Sequence, residues 1–211
     1  MNKKLKQQIV EALRVSVAAG FAEPKQIVTG LCDMFAGEAP RKDLRAEATK
    51  ALPALIAEHE AERKSWPATT DCDRLDAAFE ELNTMGIMAR HNWTCCGTCG
   101  HAAMEVEFDR LRGKWKKKPI IGYAFYHAQH TEDAVRGEGI SLLFASTVSG
   151  GGEDAYNARS CAVAKAVCGV LKAHRLKPKW EGDHNWGVEL PMKWKRRQRP
   201  ARFFEGDLSV K

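Results

Sequence analysis

Apolar residues recur every three or four positions through the first third of the chain. Leu5, Ile9, Leu13 and Val17 fall one helical turn apart, with Val10 beside them, and Gly20 ends the run. A second helix is predicted from about Pro24, carrying Ile27, Val28, Leu31 and Phe35 and stopping at Gly37. A third runs from about Arg41 towards Lys64 with Leu44, Leu52, Leu55 and Ile56, and Pro53 is expected to kink or split it. None of the three carries a cluster of reactive groups. Cys32 and His59 read as packing and surface residues. The connector Trp66-Pro67-Ala68-Thr69-Thr70-Asp71 leads into a helix with Leu75, Phe79 and Leu82 on one face, and Gly86 suits its C-terminal cap.

From Gly86 the period changes. Ile87 to Thr94 alternates like a strand, a helix with Met104, Phe108 and Leu111 follows, and Ile120 to His127 reads as a buried strand. A short polar turn or helix, Thr131 to Arg136, precedes another strand from Gly139 to Ser146. Gly150-Gly151-Gly152 is a loop, and Asp154 to about His174 is a long helix rich in Ala, Val and Cys. Two short strand-like pieces lie between Lys177 and Leu190. The order β-α-β-β-α-β predicts an α+β fold, a ferredoxin-like domain with a mostly antiparallel sheet and helices on one face, preceded by a helical region. The expected organisation is residues 1–65 helical, 66–192 α+β, and 193–211 a basic tail extending off the domain.

The chemistry gathers between the first strand of this half and its helix, in Trp93-Thr94-Cys95-Cys96-Gly97-Thr98-Cys99-Gly100-His101. Three of the seven cysteines fall within five residues there. A helix N-terminus stabilises thiolate, so a thiol pKa of ~8.5 can fall by one or more units at such a turn. Zinc is the cofactor these residues suggest first. Cys96 and Cys99 have a ligand spacing, Cys95 or His101 can supply a third donor, and His127 or His130 from the neighbouring strand a fourth. A thiol–disulfide oxidoreductase is the alternative, with Cys96 and Cys99 as attacking and resolving thiols. It lacks a proline directly before the Gly139–Ser146 strand, where thioredoxin-like proteins place one in cis. A bland reading also stands, in which small sulfur residues pack a tight junction. Cys161 and Cys168 read as core. A second constellation, His127, Gln129, His130, Glu132 and Asp133, offers a general base in His127 oriented by Glu132, or a Cys–His nucleophile pair if His127 lies near Cys96 or Cys99.

Composition narrows the class only modestly. The 211 residues are 44% hydrophobic and 28% charged, which suits a globular chain with no apolar run of membrane-spanning length. No signal-peptide core is visible, so a cytoplasmic setting is expected, and clustered rather than evenly spaced cysteines argue against a secreted disulfide scaffold. The net charge of +6 comes largely from the Lys114–Lys118 loop and from Lys193, Lys195, Arg196, Arg197, Arg199 and Arg202. With Trp180, Trp186, Trp194, Phe203 and Phe204 nearby, the basic tail is a candidate for a nucleic-acid or protein partner. The strands carry no paired aromatic and basic motif of an RNA-recognition sheet.

One set of positions stands out as a group: Trp66-Pro67, Thr70-Asp71, Asp73-Arg74-Leu75-Asp76, Ala78-Phe79, Gly86-Ile87-Met88-Ala89-Arg90, Thr94-Cys95-Cys96, Thr98-Cys99-Gly100, Gly122-Tyr123, His127, Gln129, Thr131-Glu132 and Trp180-Glu181-Gly182. Over about Trp66 to Arg197 the chain resembles an uncharacterised bacterial family, a domain of unknown function. The family often places an acid where this chain has His130. The resemblance implies domain limits and directs attention to the Thr-Cys-Cys turn, but it implies no reaction.

Overall fold

The computed structural model describes residues 1–114 and 119–197. Lys116, Lys117 and Lys118 of the basic loop, and Arg199, Arg202, Phe203 and Phe204 of the tail, lie outside the described residues. The chain forms two compact units, one from Met1–Thr70 together with residues 195–197, the other from Asp71–Trp194.

The first unit is helical. α1 (Lys3–Ala19) begins where Asn2 accepts the Leu5 N–H through its side chain at 2.8 Å, and it ends at Gly20, whose φ of 77° is the left-handed cap glycine tolerates. α2 (Pro24–Met34) opens with proline at its first turn, and the Glu23 N–H donates to the Gln26 side chain at 2.8 Å. α3 (Arg41–Arg63) runs as a single helix with Pro53 inside it. Leu5, Ile9, Leu13, Ile27, Leu31, Leu44 and Leu52 form one buried cluster, the apolar faces that the helical period marked. Each such side chain contributes about 1.5–3 kcal/mol on burial. The 195–197 segment straps this unit. Arg196 is 2% exposed, its guanidinium stacks 4.9 Å from the Phe21 ring, and its aliphatic stem lies against Gly20.

The second unit contains α4 (Asp71–Thr84), β1 (Ile87–Arg90), α5 (Gly97–Leu111), β2 (Gly122–Phe125), α6 (Ala128–Arg136), β3 (Ile140–Ser146), α7 (Gly152–Ala173) and β4 (Val188–Leu190). It is a mixed α+β architecture, and here the expectation needs correction. The sheet order is β1-β2-β3-β4, with β1 parallel to β2 and the remaining pairs antiparallel. A mostly antiparallel, ferredoxin-like sheet would insert another strand between β1 and β2. Instead they pair directly across the α5 crossover, with Ile87 beside Gly122 and Arg90 beside Phe125. A further helix, α6, separates β2 from β3.

Helices lie on both faces of this sheet rather than on one. Met88, Tyr123 and Phe125 form one core with Ala103 and Met104 of α5. On the opposite face Gly122 lies under Val163 of α7, and α4 packs on β1 and on α7. Every residue of β1 and β2 is buried in consequence, so the alternation expected from Ile87 onward does not mark a buried face and an exposed one. Among the described residues no helix is long and apolar enough to cross a membrane.

Candidate metal centre

Parallel β1 and β2 end at the same edge of the sheet, and loops at the carboxyl ends of parallel strands are where such sheets place their chemistry. β1 stops at Arg90, shorter than the alternation suggested, because the chain turns sharply. Asn92 has φ 47° and Thr94 φ 66°, left-handed values that are costly for a β-branched residue such as threonine. The turn is held from several sides. The Trp93 N–H donates to the Tyr126 carbonyl at 2.7 Å, the Ala128 N–H to the Thr94 carbonyl at 3.0 Å, and the Thr131 hydroxyl to the Asn92 side chain at 2.8 Å. The Thr94 hydroxyl donates to the Cys96 carbonyl at 3.1 Å. These bonds over-determine a strained turn whose product is the presentation of three thiols at the start of α5.

The ligand atoms of Cys95, Cys96 and Cys99 all lie within 4.8 Å of one another. Cys95 and Cys99 are exposed and Cys96 half-buried, whereas Cys32 and Cys72 are buried. Zinc held at about 2.3 Å by sulfur in a tetrahedron separates its sulfurs by about 3.8 Å. The Cys95 and Cys96 sulfurs are 3.8 Å apart. All seven cysteines are free.

The thiols are electronically unequal. Cys96 is the N-cap of α5. Its side chain makes no capping hydrogen bond of regular geometry, yet the Cys99 N–H, then the Cys99 and Cys95 thiols, favour its charged form and lower its pKa. Cys99, which donates towards Cys96 and Cys95, is pushed up to about 11. Cys96 is thus the more acidic of the two, with Cys99 donating to it.

The histidines stand differently from the sulfurs. Among the described residues no histidine or carboxylate joins the three cysteines within the same 4.8 Å. His101 turns back to the sheet, its Nδ1 2.8 Å from the Tyr123 hydroxyl. His127 is the N-cap of α6 and only 6% exposed, and its Nδ1 accepts the His130 N–H at 3.4 Å. An accepting Nδ1 leaves the proton on Nε2, so in this tautomer His127 is a donor and not a metal ligand. That Nε2 lies 4.0 Å from where a Cβ on Gly97 would stand, which places it beside the thiol turn. Burial, then the neighbouring His130, lowers the His127 pKa to about 4. The His130 ring stacks on His127 with centroids 3.7 Å apart, and burial lowers its pKa as well. Glu132 is 3.5 Å from Arg136 on an exposed side of α6, so its partner is that arginine and not the imidazole it was expected to orient.

The basic residues near the C-terminus have their own contacts. The Lys193 N–H donates to Asp71, Lys195 and Arg197 lie over the Trp66 ring, and Arg197 donates to the Pro67 and Ala68 carbonyls. Cys161 and Cys168 are half-buried. Sequence reasoning missed the buried ion pair behind the turn. Arg90 donates to Glu107 at 2.8 Å, and Arg110 closes on the same carboxylate. Burial would raise the Glu107 carboxyl, but hydrogen bonds from Arg90 and Arg110 outweigh it and hold it below the usual range. A charge at Arg90 inside an otherwise apolar strand was the available signal.

Fold and turn together define a mixed α+β protein that displays a three-cysteine cluster at a parallel strand edge. Residues 2–198 match the model of a domain of unknown function, DUF6891, and the chain belongs to that family. The match takes in the N-terminal helices as well as the region from Trp66 onward. No curated protein and no solved structure matches the chain.

Proposed function

We infer that the Cys95-Cys96-Cys99 turn is a metal site, with zinc its first candidate. The observation that carries this reading is the convergence of three sulfur ligands within 4.8 Å at a helix N-terminus. Thiolates are the donors that zinc prefers, and a helix N-terminus offsets part of their mutual repulsion. Three protein ligands leave the fourth position to water or to an incoming ligand, the pattern of an open site rather than a closed structural one. The His127 Nε2–H beside Gly97 is placed to hydrogen-bond a group bound there. Metal analysis of the purified protein and of single Cys→Ser variants is the test. Stoichiometric zinc that disappears in each variant supports the reading, and a well-folded protein isolated without metal removes it.

A second reading is favoured by one observation, the opposite shifts of Cys96 and Cys99. A Cys96 thiolate can attack an external disulfide, releasing one thiol of that substrate. Cys99 then resolves the mixed disulfide, leaving a Cys96–Cys99 disulfide and a fully reduced substrate. Mild oxidation that joins Cys96 to Cys99 without loss of fold supports it.

A further inference from the structure

A concavity lies in the same unit, lined by residues of α5, β3, α7 and the loop that leads into β4. Its volume is about 200 Å³, below the ~300–1,000 Å³ of pockets for drug-sized ligands, which limits an occupant to a single small ring. Its walls include His101, Tyr156, Ser160, His184, Asn185 and Trp186. No lysine, arginine or carboxylate is among its lining residues; its imidazoles are His101, whose burial disfavours the charged form, and His184, 3.5 Å from Asp183.

Each polar group there has hydrogen-bonding capacity to spare. His101 uses Nδ1 on Tyr123, and its Nε2 has no partner among the described residues. Ser160 is 3% exposed and accepts the Ser146 N–H at 3.1 Å, which leaves its own hydroxyl proton undirected. The Asn185 amide N–H donates to Asp183 at 2.9 Å, so its carbonyl oxygen is available. Tyr156 is partly exposed with no hydroxyl partner among the described residues. The cavity therefore offers both donors and acceptors.

One wall is an exposed indole. Trp186 is 72% exposed, more than any other large apolar side chain described. Its loop is fixed, because the Trp180 indole N–H donates to the carbonyls of Asp183 at 3.0 Å and Trp186 at 3.2 Å, and Trp180 packs edge-on against Phe144. Gly187 then meets Ser141 and Leu142 of β3 so closely that no side chain fits between. Holding a large indole in water on a fixed loop forfeits the burial that a free loop would regain.

A small cavity, an exposed indole and several hydrogen-bonding side chains without lysine, arginine or carboxylate match one class of ligand. We propose that this cavity binds a neutral monosaccharide, with the C–H face of the sugar ring on Trp186 and its hydroxyls on His101, Ser160, Asn185 and Tyr156. The indole face is negative and attracts the polarised C–H bonds of a pyranose, while each hydroxyl both gives and accepts a hydrogen bond. Sugar binding here does not use the sulfurs and stands or falls separately from the metal site.

The test is calorimetric titration of the full chain with D-glucose, D-galactose and N-acetyl-D-glucosamine, and with adenine as a flat heterocyclic control. At least one sugar should saturate the protein with a dissociation constant of roughly millimolar or tighter, and equally so in the Cys96→Ser variant. Trp186→Ala should weaken that sugar about tenfold, the loss of one aromatic face, and Asn185→Ala should weaken it as well. Both side chains are exposed, so neither variant threatens the fold. Absence of saturation by all three sugars, saturation by adenine alone, or unchanged binding in both variants overturns the proposal.

Discussion

At the residue scale the turn assigns unequal work to neighbouring thiols. Cys96 carries the lowered pKa, so at neutral pH it should be alkylated by iodoacetamide faster than Cys99, whose thiol stays protonated up to about 11. Peptide mapping of partly alkylated, metal-free protein reads this directly, and equal rates at the two positions would contradict it. His127 gives a complementary expectation. Asparagine keeps an N-cap acceptor for the His130 N–H, so His127→Asn should fold and should retain bound metal, whereas a histidine ligand would lose it. The sulfurs were legible in the sequence because three cysteines in five positions exceed what packing at one turn requires of so uncommon a residue. The role of His127 was not. Its place beside Gly97 depends on β1 and β2 being direct neighbours, and its tautomer on a backbone N–H three residues ahead.

At the element scale α5 is the part that aims the sulfurs, and two contacts fix it. Gly100 sits against the Phe125 ring with no room for a Cβ. In an exposed helix Gly→Ala stabilises by about 1 kcal/mol. Here Gly100→Ala should destabilise by about 1–3 kcal/mol, because overpacking against a buried ring outweighs helix propensity. Urea unfolding gives the sign. The second contact is the Arg90–Glu107 pair, whose side chains are almost fully buried. Arg90→Ala leaves Arg110 as the remaining arginine on that carboxylate and removes one buried charged hydrogen bond, which should cost about 1.5–3 kcal/mol. The pair also predicts a pH dependence. The folded Glu107 value lies below its ordinary 4.5. Its contribution is therefore complete above about pH 4.5 and is lost as pH falls through the folded value. Glu107→Gln should flatten that acid limb in denaturation curves measured between neutral pH and about pH 3. Helix positions were readable from period, since α1, α2 and α3 each follow an apolar stripe, although α2 ends at Met34 rather than Gly37 and α3 continues through Pro53. α6 was only half readable, because its nine residues are mostly polar and its N-cap is a histidine.

At the scale of the whole molecule the sheet order was the part least accessible from sequence. Local pattern says that Ile87 to Thr94, Ile120 to His127, Gly139 to Ser146 and two short pieces between Lys177 and Leu190 are extended. It does not say which strand lies beside which. The β-α-β-β-α-β string suggested a split arrangement, and α6 and the direct β1–β2 pairing overturned it. The clue in retrospect is burial. Met88, Ala89, Tyr123, Ala124 and Phe125 are apolar on both faces, which suits a strand pair covered by helices above and below. The same parallel edge explains why a strained turn and a buried histidine meet at the thiols.

The central claim is that three sulfurs act together on a metal ion, and metal content tests it most directly. Wild-type protein purified from zinc-replete medium without chelator should carry one zinc per chain by elemental analysis. Cys95→Ser, Cys96→Ser and Cys99→Ser should each lose it while His127→Asn keeps it. A folded wild-type chain free of metal, or variants that retain zinc at full stoichiometry, would contradict the account.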